Sequence, residues 1–141
     1  MAKAFGAHWQ DTGTLFHHTL AINPKSQVAH LQLGYVLLNR GGEADLVEAL
    51  DHYLDVLDDR PTDAHLLGNI GCALLKLNQP RQAAGFFNAA WKLAPDDANL
   101  EAALAQCELA AGDRASATAH FKSLQSRFPS GLAAQAAIDP R

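Results

Sequence analysis

The sequence predicts an all-α protein, an α-solenoid of stacked helix–turn–helix units. Three observations carry that reading. Apolar residues recur at the three- and four-residue spacing of a single helix face. Small, aromatic, aliphatic and proline positions return every 34 residues, and a fixed interval of that size marks a stacked repeat. Turn-forming clusters fall at "RGG", "NQP" and "AGD" inside units and at "INPKS", "RPTD", "APDD" and "FPSG" between them, where Gly and Pro interrupt helices.

The repeat is read column by column. Ala49, Ala83 and Ala117 form the first column, Tyr53, Phe87 and Phe121 the second. Val56, Ala90 and Leu124 form the third, and Pro61, Pro95 and Pro129 close each unit. A small residue lets a neighbouring helix approach, the aromatic fills the space beside it, and proline stops the helix because it lacks an N–H. First helices precede these second helices. Gln27–Arg40 carries Leu33, Gly34 and Leu37, and Asp63–Asn78 carries Leu67, Ile70, Gly71, Leu74 and Leu77. Ala98–Gly112 repeats the theme more weakly with Leu100, Leu104 and Ala105. Asp63, Asp96 or Asp97, and Ser130 follow the prolines as expected N-caps.

Taken in order, residues 9–23 read as the second helix of a unit whose first helix is missing. Units at 27–61, 64–97 and 98–131 follow, and 130–138 reads as a short capping helix, all within one domain, 1–141. The first full unit has three extra residues, which Gly41–Gly42 accommodate in a longer turn. Allowing for them aligns Phe16 with Tyr53 and Pro24 with Pro61.

Composition narrows the function. The net charge is −4, with 48% hydrophobic residues. The basic residues are scattered, which argues against a nucleic-acid footprint. Eight of the fifteen acidic residues lie between Glu43 and Asp63, a solvated helix face or an acidic patch turned to a partner. No apolar run approaches the ~20 residues that cross a bilayer, and the start lacks the apolar segment of a signal peptide. A soluble chain, cytoplasmic or periplasmic, is expected, although it could be cut from something larger.

Other chemistries find little support. Cys72 and Cys107 have no metal-ligand spacing and read as reduced thiols, with a disulfide open only if their helices lie side by side. Of the seven histidines, His17 and His18 are adjacent and point about 100° apart on a helix. His8, His30, His52, His65 and His120 fall in different helices, so no metal is expected. Walker, GxSxG, HExxH and GxGxxG motifs are absent, and His65 and Cys72 are about 10 Å apart along one helix, too far for nucleophile activation. Neither enzyme activity nor a cofactor is expected.

These residues resemble the tetratricopeptide repeat family over about residues 9–131, with the central unit matching best through Leu67, Ile70–Gly71, Leu74, Ala83, Phe87, Ala90 and Pro95. The resemblance implies a right-handed coil of units and a protein-interaction role. Glu101 and Glu108 stand where the family usually has bulky apolar or aromatic residues, and a wetter position near the end of the stack is the expected reason. The entry segment, through Trp9, Thr12, Leu15, Phe16, Leu20, Pro24 and Gly34, is also similar to tetratricopeptide tails of bacterial membrane proteins related to glycosyltransferases. A subfamily that grips chaperone C-termini uses Lys, Asn and Arg on successive first helices. Only Asn69 matches it here; Leu31, Tyr35, Asn99 and Ala103 depart.

Coiling leaves a concave surface lined by first helices, and helical spacing assigns residues to it. They are Val28, Leu31, Tyr35 and Asn39 in the first full unit, then His65, Asn69, Cys72 and Lys76, then Asn99, Ala103, Gln106 and Ala110. Such a groove suits an extended peptide or a partner helix, with amides bonding its backbone. The alternative is self-assembly through an apolar patch at the N-terminal half unit, Phe5, Trp9, Phe16 and Leu20.

Overall fold

The computed structural model describes residues 13–128. The expectations on Phe5, Trp9, Thr12, Pro129, Ser130 and the cap 130–138 fall outside those residues. Among the described residues there are seven helices and no strand. They are α1 (13–22), α2 (Gln27–Arg40), α3 (Glu43–Leu57), α4 (Ala64–Lys76), α5 (Pro80–Leu93), α6 (Ala98–Ala110) and α7 (Arg114–Arg127). The predicted all-α helical-repeat class is therefore observed. The chain forms two compact units, Met1–Pro61 and Thr62–Arg141.

In the first unit α2 packs on α3. Leu33, Leu37 and Leu38 of α2 and Leu46, Ala49, Tyr53 and Val56 of α3 are buried, and their three- and four-residue spacing is the predicted stripe. Ser26 caps α2, its hydroxyl accepting from Ala29 N at 3.2 Å. Gly41 ends it with φ +75° and donates its N–H to Leu37 O. That backbone conformation favours glycine, but the turn holds only Gly41 and Gly42, fewer residues than the α4–α5 and α6–α7 turns. The expected longer turn is therefore not observed; the extra residues go into longer α2 and α3 and a longer α3–α4 connection.

In the second unit α4, α5, α6 and α7 pack each on the next. The caps are local and polar. Asp63 accepts from Leu66 N, Asp97 from Asn99 N and Leu100 N, and Asp113 from Ser116 N. Of the two candidates after Pro95, Asp97 is the cap. Pro80 sits in the first turn of α5, where a missing N–H costs nothing.

Two columns, Ala49–Ala83–Ala117 and Val56–Ala90–Leu124, are buried at every position, and the prolines at 61 and 95 are exposed; the aromatic column varies. Tyr53 and Phe87 are fully enclosed, whereas Phe121 is only half-buried. Its helix, α7, packs on α6. The aromatics of the enclosed pairs face glycine. A Cβ on Gly34 would lie 2.7 Å from Tyr53 Cε1, and one on Gly71 would lie 2.8 Å from Phe87 Cε2.

The expectation of a wet Glu101 is reversed. Its side chain is 1% exposed, beside Leu104 and Ala105 in the core of α6. Burying a carboxylate requires partners, since its desolvation is otherwise prohibitive. Arg127 Nη1 donates to Glu101 Oε2 at 2.9 Å, and His120 Nδ1 lies 3.3 Å from Oε1. Arg127 Nη2 also donates to Pro95 O at 2.8 Å. A charged fastening thus joins α6, α7 and the α5–α6 turn where an apolar side chain was expected.

Because the Phe87 ring is enclosed and cannot swing away, Gly71→Ala should cost about 1–3 kcal/mol by overpacking. Combining it with Phe87→Leu should cost less than the two separate effects summed, since the shorter side chain vacates the clashing space. Urea denaturation of the parent, both single variants and the pair checks this, and strict additivity would show that the ring is not what excludes the methyl.

Candidate functional site

A cavity of about 460 Å³ opens between α4 and α6. His65, Asn69 and Cys72 enter it from successive turns of α4, and Asn99 and Ala103 from α6. The two first helices come this close because Gly68 has no side chain; a Cβ there would meet Leu100 Cδ2 at 3.1 Å. Buried Phe87 and half-buried Leu100 add apolar lining. The cavity therefore combines an apolar base with amides and an imidazole that can donate and accept.

Five residues assigned from helical spacing are brought together here: His65, Asn69, Cys72, Asn99 and Ala103. Lys76, Gln106 and Ala110 are exposed and do not line the cavity. Val28, Leu31, Tyr35 and Asn39 lie on α2, in the other unit. Tyr35 is 55% exposed, so ordinary packing does not account for it. Leu31 is half-buried, and Val28 and Asn39 are exposed.

The patch predicted on α1 differs from the surface observed. Phe16 and Leu20, four apart, are half-buried, while Leu15 and Ile22 are the exposed apolar side chains of that helix. The helix turns its Phe16 face inward, leaving the other face to solvent.

Both thiols are reduced. Burial pushes the Cys107 thiol up to about 11, helped by Cys72 and Glu108. Burial also raises Cys72, against the opposing charge of Lys76. Neither is a ready thiolate at neutral pH, so the cavity holds no activated nucleophile there. No group of three or more His, Cys, Asp or Glu among the described residues is arranged to hold a metal ion. None of the described helices is long and apolar enough to cross a membrane.

Two polar clusters escaped the sequence reading because their members are remote in the chain. In the second unit His120 lies between two carboxylates, Glu101 Oε1 at 3.3 Å from Nδ1 and Glu108 Oε1 at 3.5 Å from Nε2. The Trp91 ring meets His120 edge-on at 5.1 Å. Burial raises the Glu108 carboxyl, opposed by His120 and helped by Asp113, and its Oε2 is enclosed without a hydrogen-bond partner. In the first unit His17, His30, His52 and Glu48 form a connected chain.

Helix hairpins stacked around small-residue and aromatic columns, with a cavity between first helices, define a helical-repeat protein-interaction scaffold. A family model described as tetratricopeptide repeat matches residues 42–107 and 74–138, and the chain belongs to the tetratricopeptide repeat family. The chain is similar to the solved structure described as MamA RS-1 ArsTM double mutant, with TM-score 0.81 and 22% identity over 92% of this chain and 71% of that one. For MamA 41-end from Desulfovibrio magneticus RS-1 the values are 0.78 and 23%, over 87% and 68%. For another MamA crystal structure they are 0.79 and 16%, over 91% and 73%. At these identities the likeness shows the fold. No curated protein matches the chain by sequence. The resemblance to glycosyltransferase-related membrane proteins gains no support from these matches.

Glu108 makes a pH prediction with a definite sign. A carboxyl raised on folding binds its proton more tightly in the folded chain, so its contribution favours folding in acid and is lost as pH rises. Glu108→Gln should therefore raise the denaturation midpoint at neutral pH, and the gain should fade as pH drops into the carboxyl range. Urea midpoints of parent and variant across pH measure it; a gain that grew in acid would contradict the burial argument.

Proposed function

We propose that the α4–α6 cavity of the second unit binds an extended peptide segment of a protein partner. The observation that carries this is the convergence of Asn69 and Asn99 from two first helices on one cavity with an apolar base. An extended backbone presents alternating N–H and C=O groups, and a carboxamide can serve both at once. Gly68, Phe87 and Leu100 suit one small apolar side chain of the peptide. His65 adds a third polar group at the same opening.

Self-assembly through α1 is the second reading, supported by Leu15 at 59% and Ile22 at 75% exposure. Single exposed apolar residues are common on protein surfaces, so the cavity is the stronger case. Mass rising with concentration in light scattering is the expected sign of self-assembly, and a constant monomer mass would remove this reading.

Peptides selected from a random display library test the peptide reading. The variant Asn69→Ala with Asn99→Ala should bind selected peptides about 5- to 30-fold more weakly, at about 0.5–1 kcal/mol for each carboxamide removed. Its denaturation midpoint should stay close to the parent's, because neither amide is part of the core. Selected peptides that bind parent and variant alike would place recognition elsewhere.

A further inference from the structure

The histidine chain of the first unit has a proton count that its geometry restricts. His30 on α2 and His52 on α3 face each other through Nδ1 atoms 2.9 Å apart. Their side chains are only 12% and 15% exposed, so water does little to relieve a mismatch. A carbonyl oxygen only accepts, so the 2.8 Å contact between His30 Nε2 and Pro24 O puts a proton on that nitrogen. On a neutral ring this leaves a lone pair on His30 Nδ1. His52 Nδ1 must then donate across the 2.9 Å gap. His52 Nε2 faces Glu48 Oε2 at 3.4 Å, and an ionised carboxylate also only accepts.

We propose that His30 and His52 form a one-proton clamp that fastens α2 to α3 and loosens when the pair gains or loses a proton. With His30 neutral and His52 an imidazolium, all three contacts have a donor and an acceptor. A second proton sets N–H against N–H across the Nδ1–Nδ1 contact. Removing the first leaves His52 a single N–H. It then faces either His30 or Glu48 with lone pair against lone pair.

Charged and titratable groups face the pair from the elements packed around it. From α3 come Glu48 and Asp55, whose Oδ2 is 4.0 Å from His30 Nδ1. Asp58 and Asp59 line the adjoining cavity of about 390 Å³, where Lys25 of the α1–α2 turn opposes them. From α1, His17 Nε2 reaches the same Glu48 oxygen at 3.2 Å, while its Nδ1 bonds Gly13 O at 2.9 Å. His17 thus shares Glu48 with His52 and ties α1 to α3.

Only the one-proton state gives every contact of the pair a donor and an acceptor, so α2, the helix that presents Val28 and Tyr35, is fastened most firmly in that state.

Imidazole nitrogen NMR of the labelled parent protein, followed from about pH 8 to about pH 5, tests the clamp directly. His30→Gln and His52→Gln serve to assign the signals. The expected state has His30 protonated at Nε2 alone and His52 protonated at both nitrogens. Folded protein with a proton on His30 Nδ1, or two rings that titrate independently, would overturn the proposal. Denaturation midpoints of parent and His30→Gln provide a second readout. Their difference should peak where the single-proton state is populated and shrink on either side. A difference that does not vary with pH would also overturn it.

Discussion

Two helix pairs, α2–α3 and α4–α5, depend on a glycine set against an aromatic ring. Gly34 faces Tyr53 in the first unit and Gly71 faces Phe87 in the second, with less room at either glycine than a methyl group requires. Close helix approach brings the ring into contact with many atoms at once, and dispersion and apolar burial both scale with that contact. The alanines one turn earlier, Ala49 and Ala83, are fully buried for the same reason. The remaining leucines fill a space whose width these small residues set.

Towards the end of the described chain the logic changes from apolar to charged. α6 places Glu101 where a large side chain is needed, and α7 answers with Arg127 and His120. An ion pair of this kind is costly to desolvate, but leaving either partner alone costs more. It makes α6 and α7 interdependent in a way that leucines would not, because a charge tolerates only its partner. Phe121, meanwhile, loses the full enclosure of its two counterparts.

The cavity between α4 and α6 arises from the same geometry. Stacking α4 and α6 through Gly68 leaves a cavity beside the contact; the core ring of Phe87 lines its base, and its polar lining comes from side chains the core does not use. Asn69 and Cys72 sit one position away from buried Ile70, Gly71 and Ala73. Core and cavity therefore occupy neighbouring stripes of one helix. The helical spacing that predicts one stripe also indicates the other.

The sequence by itself determined the repeat, the helices and the caps at Asp63 and Asp97, because these rest on spacing, proline and short polar side chains acting within a few residues. It also indicated five residues of the cavity, since they follow from helix periodicity. Only the tertiary structure decided which side chains meet across helices. His30 and His52 are 22 residues apart, Glu101 and Arg127 are 26 apart, and no local pattern links either pair. Phe16 turning inward and Tyr35 staying exposed were settled in the same way. Their burial depends on what packs against each face, a property of the folded neighbours and not of the residue's own helix.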